Sequence, residues 1–80
     1  MHELSLTREI ADIVCRAANG QRVFRVSLEI GELCCASPEA IAFCFDAVVQ
    51  GTVAEGARLD IRRTGGDDCK VTTLEVEEAA

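Results

Sequence analysis

The stretch Phe24-Arg25-Val26-Ser27-Leu28-Glu29-Ile30 alternates apolar and polar side chains without a break. A period of two is the signature of a β-strand with one buried and one wet face. The spacing therefore predicts a strand whose Phe24, Val26, Leu28 and Ile30 face a core.

The segments on either side have a different period. Leu6, Ile10, Ile13, Val14 and Ala17 recur at helical spacing and predict a helix over residues 5–18. Ser5 can cap its start, and Asn19-Gly20 is a left-handed stop. Downstream, Ser37-Pro38-Glu39 combines a cap, a first-turn proline and an acid against the helix dipole. Ile41, Cys44, Phe45, Val48 and Val49 form the buried stripe of this second helix, and Gly51 ends it. Phe43 lies off the stripe's centre; the flank of the core is the preferred place for it, with a partner surface as the alternative.

Residues 52–55 are short and compatible with an extended segment before Gly56 turns the chain. Leu59 and Ile61, alternating with Arg58, Asp60 and Arg62, predict a second strand. Thr64-Gly65-Gly66-Asp67-Asp68 reads as a turn, and Leu74 and Val76 mark a third strand over residues 70–77. So short a glycine-bearing connection predicts that the last two strands pair as an antiparallel hairpin. The expected class is α+β: two helices on one face of a small, mainly antiparallel three-stranded sheet.

Eighty residues, 49% of them hydrophobic and 28% charged, are expected to form a single globular domain over residues 1–80. The most apolar region, residues 41–49, is too short for a membrane span and contains Asp46. Glu3, Arg8 and Glu9 interrupt any signal-peptide pattern at the start. A net charge of −6 argues against nucleic-acid or anionic-membrane partners. The group Arg58, Arg62 and Arg63 is interleaved with Leu59, Asp60 and Ile61, as on a solvated strand, and no Tyr or Trp accompanies it. Five cysteines, an odd number without regular spacing and without any Cys-x-x-Cys pair, fit a reduced cytoplasmic chain. Cys34 and Cys35 would point to opposite faces of a continuing strand, a poor shared ligand set.

The chemistry of common enzymes is hard to assemble. His2 is the only histidine, no serine or cysteine sits in a nucleophile elbow, and no phosphate-binding glycine loop occurs. The acidic neighbours (Glu29 with Glu32, Asp67 with Asp68, Glu77 with Glu78) read as solvated charge at strand edges, turn and tail. An enzyme is not expected; a binding module is.

His2 has one unusual property. In second place it brings the terminal amine, its own backbone amide and its imidazole within reach of one ion, with the Glu3 carboxylate beside them. Such nitrogen-rich, tetragonal surroundings suit Ni(II) or Cu(II) rather than Mg(II) or Ca(II). Binding would weaken as pH falls, because amine and imidazole must be deprotonated. Taken alone, a polar frayed end is the more economical reading of Met1-His2-Glu3.

The wider pattern changes that balance. Met1-His2-Glu3-Leu4-Ser5-Leu6, Val26-Ser27-Leu28-Glu29-Ile30-Gly31, Phe43-Cys44-Phe45-Asp46, Gly51-Thr52-Val53-Ala54-Glu55-Gly56-Ala57 with Leu59, and Leu74-Glu75-Val76-Glu77 occur in one order along the chain. In these five segments it resembles the HypA/HybF family of nickel-incorporation accessory proteins for hydrogenase and urease maturation. The resemblance implies a nickel metallochaperone domain that holds Ni(II) at Met1, His2 and Glu3. It would pass the ion to a hydrogenase large subunit in concert with a maturation GTPase, in the cytoplasm. The family's nickel domain, two helices on three strands, agrees with the pattern read above. One departure is large: the family inserts a zinc domain with two Cys-x-x-Cys pairs before the last strand, where this chain has only residues 64–68. No zinc is therefore expected. The alternative function is a metal-free interaction module that keeps the scaffold and docks to the maturation machinery. An exposed edge, residues 70–77 or 24–30, leaves a homo-oligomer open, as does domain exchange through the 64–68 turn.

Overall fold

The computed structural model describes residues 3–34 and 36–77. Five elements follow in order: α1 (Glu3–Ala18), β1 (Val23–Gly31), α2 (Pro38–Val48), β2 (Arg58–Thr64) and β3 (Cys69–Val76). The two helices and three strands are those expected, in an α+β arrangement.

Helix α1 begins at Glu3, two residues before the predicted cap, and stops at Asn19 and Gly20, whose φ angles are 52° and 84°. Its buried residues are Thr7, Ile10, Ala11, Val14 and Ala18. The apolar stripe is thus turned slightly from the predicted one, leaving Ile13 53% exposed and Ala17 at the surface. Two local facts allow this. The Thr7 hydroxyl donates to the Glu3 carbonyl at 2.7 Å, so its burial leaves no polar atom unsatisfied. Ala11 and Ala18 are small enough to let the helix approach its neighbours closely.

Strand β1 is the centre of the sheet, whose order is β2-β1-β3. It runs parallel to β2, in register from Arg25↔Arg58 to Gly31↔Thr64, and antiparallel to β3, from Val23↔Val76 to Ile30↔Cys69. The sheet is therefore mixed, and the predicted β2–β3 hairpin does not form. A parallel neighbour needs a crossover, and the segment containing α2 supplies it between β1 and β2. The chain then passes over the end of β1 to reach its far side. Two inter-strand spacings amount to about 10 Å, within reach of a four-residue connection. Because β1 has a neighbour on each side, residues 24–30 are not an edge; β2 and β3 are.

Residues 64–68, the crossover that carries the chain from β2 over β1 to β3, grip what they pass over. The Gly31 amide donates to the Asp68 carbonyl at 2.7 Å, the Glu32 amide to Thr64 at 2.8 Å, and the Leu33 amide to Gly66 at 3.0 Å. With β1 ending at Gly31 and the Cys34 amide bonded back to the Gly31 carbonyl, Cys34 sits in a turn rather than in a continued strand.

Val26, Leu28 and Ile30 of β1 are fully buried, joined by Ile10 and Val14 of α1 and by Ile41 and Phe45 of α2. Leu59 and Ile61 of β2, with Val71 and Leu74 of β3, flank that row and pack against it. Phe24 departs from the predicted face and is 47% exposed, while Val23 is buried. The register shows the cause: Val23 and Arg25 oppose the consecutive residues Val76 and Glu75, so Phe24 is the extra residue of a bulge. A second irregularity skips Thr72 on β3.

Helix α2 is capped as predicted: the Ser37 oxygen accepts the Ala40 amide at 3.3 Å and Pro38 opens the first turn. Ile41, Phe45 and Val49 are buried and Cys44 and Val48 half-buried. Phe43 is not at the flank of the core; it is 79% exposed, because a helix whose i, i+4, i+8 row faces inward turns the residue two places on outward. Residues 52–56 are not extended but form successive turns, closed by the Thr52, Glu55 and Ala57 amides on Val49, Thr52 and Ala54.

Candidate metal site at the amino-terminal end

Of the three predicted ligands, Met1 and His2 lie outside the described residues. Glu3 stands in the first turn of α1, where a carboxylate faces the positive end of the helix dipole. Its Oε2 accepts the backbone amide of Ser37 at 3.3 Å. The cap residue of α2 thus fastens the beginning of α1, and the point from which residues 1 and 2 depart is fixed against both helices.

Ser37 carries a second carboxylate. Its hydroxyl donates to Glu39 Oε2 at 3.0 Å while still capping the helix. The Glu39 carboxyl is held below its ordinary value by its own backbone amide first, then by the Ser37 hydroxyl, with Arg63 adding attraction. One serine therefore gathers Glu3 on its amide and Glu39 on its hydroxyl, an anionic corner at the amino-terminal end. Sequence reasoning named Glu3 as a ligand and Ser37-Pro38-Glu39 as a helix start, but missed that the two meet. No local signal connects residues 34 positions apart. Among the described residues, no three His, Cys, Asp or Glu side chains come together as a metal-holding group.

The sheet's open face carries the other concentration of charge. Its rows follow the register: Arg58, Arg25 and Glu75; Asp60, Ser27 and Thr73; Arg62, Glu29 and Lys70. Arg25 pairs with Asp60 and, at 3.6 Å, with Glu75; Arg58 reaches Asp60 at 3.4 Å and Lys70 reaches Glu29 at 3.9 Å. A shallow groove of about 290 Å³ runs above Ser27. Exposed pairs of this kind contribute about 0–1 kcal/mol each. They describe a solvated face, as the interleaved charges of β2 had indicated.

A family model described as hydrogenase/urease nickel incorporation, metallochaperone, hypA matches residues 1–79. The chain belongs to the HypA family. A Geobacter sulfurreducens hydrogenase maturation factor HypA is 52% identical over 66 residues, covering 82% of this chain and 60% of that protein. The Trichodesmium erythraeum HypA is 48% identical over 77 residues, covering 95% of this chain and 68% of that protein. The chain thus spans roughly three fifths of the length of the Geobacter relative it matches. In fold, the solution structure of the nickel metallochaperone HypA from Helicobacter pylori is similar with a TM-score of 0.72 at 16% identity, covering 98% of this chain and 95% of that one. The HypA family is one of metallochaperones and maturation factors rather than enzymes. No helix among the described residues is long and apolar enough to cross a membrane.

Proposed function

We propose that residues 1–80 act as one nickel-binding unit. It takes up Ni(II) through the Met1 amine, the His2 backbone amide and imidazole, and the Glu3 carboxylate, and delivers it during maturation of a [NiFe]-hydrogenase or urease. The observation that carries this reading is the family match from residue 1 to residue 79, which includes the one histidine of the chain. The fastening of Glu3 to Ser37 supports it, since a fixed departure point lowers the entropy lost when two further residues fold back onto an ion. The anionic corner of Glu3 and Glu39 attracts a divalent cation.

The receiving partners in this reading are a hydrogenase large subunit and a nickel-handling maturation GTPase, met in the cytoplasm. Four unpaired thiols among the described residues are in keeping with a reducing compartment. Zinc has no part in it: the connection between β2 and β3 is residues 65–68, with no Cys-x-x-Cys pair anywhere in the chain.

Nickel titration of protein with an authentic amino terminus, followed by absorbance, tests the reading. Stoichiometric binding is expected, lost in His2→Ala while the circular dichroism of the fold stays unchanged. Adding one or two residues before Met1 should erase the tetragonal spectrum. Tight nickel binding retained in His2→Ala would overturn the assignment. No heat with Ni(II), combined with saturable binding to a large subunit or maturation GTPase, would select the metal-free interaction module instead.

A further inference from the structure

The cysteines are the chemistry that nickel handling leaves unused. Of the four described, Cys15 belongs to α1 and Cys44 to α2, on separate elements. Cys34 and Cys69 differ, because the crossover brings them to one place. Cys69 opens β3 opposite Ile30, and the preceding residue, Asp68, accepts the Gly31 amide at 2.7 Å. Cys34 closes the turn after β1, with its amide on the Gly31 carbonyl at 3.0 Å. Gly31 is therefore bonded through its amide to the residue before one cysteine and through its carbonyl to the other. Both side chains are half-buried and pack against the same core.

We infer that Cys34 and Cys69 form a dithiol site, closed to an intramolecular disulfide by exchange with a low-molecular-weight disulfide such as oxidised glutathione. The order of events follows from the surroundings. Burial, and secondarily the neighbouring Cys34, push the Cys69 thiol up, so Cys69 is a poor first nucleophile near neutral pH. The same effect shows that the two sulfurs feel each other's charge. The Cys34 thiolate attacks one sulfur of the small disulfide, forming a mixed disulfide and releasing one thiolate. Cys69 then gives up its proton to solvent, attacks the Cys34 sulfur and expels the second small thiol. Two protein thiols become one disulfide and one external disulfide becomes two thiols, so electrons and protons balance. The bridge ties the turn after β1 to the start of β3, directly beside the crossover. It is independent of the nickel site, and its failure leaves that reading untouched.

The experiment treats the full folded chain with oxidised glutathione and then counts thiols after denaturation. The count should fall from five to three, with no retained glutathione. Tryptic cleavage at Arg25, Arg58, Arg63 and Lys70 separates the partners, so the bridge appears as a peptide of residues 26–58 joined to one of residues 64–70. Because the larger peptide also holds Cys35 and Cys44, the map is repeated in Cys35→Ser/Cys44→Ser, where the bridge should persist. The bridged protein should unfold at a higher temperature than the reduced one, and a thiol reductant should reverse the shift. Five free thiols, a glutathione adduct that stays on Cys34 or Cys69, or a bridge that runs to another cysteine would each overturn the inference. Where that variant fails to fold, tandem mass spectrometry of the bridged wild-type peptide, which fragments residues 26–58 between Cys34, Cys35 and Cys44, decides among these outcomes.

Discussion

Gly31, the last residue of β1, lies directly against the backbone of Gly66 in the crossover, so close that a Cβ on Gly31 would overlap the Gly66 carbonyl. Neither backbone can yield easily, because the Leu33 amide holds that same carbonyl and the Gly31 amide holds Asp68. Gly31→Ala should therefore be among the most damaging single-methyl changes in the chain, on the order of 3–5 kcal/mol. At Gly65 an added Cβ meets nothing, so Gly65→Ala should stay within about 1 kcal/mol of wild type. Urea unfolding of the two variants checks the contrast. A neutral Gly31→Ala would mean that the connection does not pass where it is described.

The two phenylalanines of α2 should behave as opposites. Phe45 is fully buried and Phe43 is 79% exposed. Phe45→Ala should cost about 3–5 kcal/mol and Phe43→Ala should remain within about 0.5 kcal/mol. Chemical denaturation reads the contrast: an unchanged midpoint in Phe43→Ala beside a large fall in Phe45→Ala shows that the Phe43 ring takes no part in the core.

Loss of the tie between the helices should be measurable without nickel. Glu3→Ala removes a charge-assisted bond to the Ser37 amide and should lower stability by about 1 kcal/mol. Ser37→Ala removes the cap of α2 and should lower it by about 0.5–2 kcal/mol. Thermal unfolding of nickel-free protein reads both, and separates this structural part of Glu3 from its proposed part as a ligand.

Two groups make stability depend on pH, with opposite sign. Glu39 has its folded value lowered, so the folded state binds fewer protons. Its contribution is present above the unfolded value, 4.5, and is lost as pH falls through the folded one. Glu39→Gln should remove that part of the acid sensitivity. Cys69 has its folded value raised from 9.0, so its contribution is complete below that pH and is lost as pH rises beyond it. Iodoacetamide should accordingly alkylate Cys69 slowly until the medium is strongly alkaline. In Cys34→Ala, which removes one of the two causes, alkylation at a given pH should be faster.

What was legible in the sequence was what is local. The helical periods of α1 and α2, the Ser37-Pro38-Glu39 cap and the Asn19-Gly20 stop each act within a few residues, and each marks an element that forms, although the buried stripe of α1 is turned from the expected one. Strand order was not legible. A short glycine turn usually closes a hairpin, and only the competition between β2 and β3 for the two sides of β1 reveals that here it bridges over a strand. Phe24 was misplaced for a related reason: a bulge is a property of the pairing, and the alternating pattern of one strand does not contain it. At the candidate site, the rarity of histidine singled out residues 1–3, and one of the three is described. The meeting of Glu3 with Ser37 is a tertiary contact across a helix and a strand, invisible until the fold exists.

The crossover has a bearing on the ancestry of the chain's architecture. Its two ends, Thr64 and Cys69, are each held by partners on β1, so the sheet specifies where the chain must leave and return without specifying what it does between. The entropic penalty for lengthening such a loop rises only logarithmically, by about 0.6 kcal/mol per doubling. Expanding it from four residues to several dozen would thus weaken the sheet by roughly 2 kcal/mol, less than one large core truncation. A whole module can be spliced in or out at this point while the register of all three strands is kept. Length variation within a family built on this sheet should concentrate between its second and third strands.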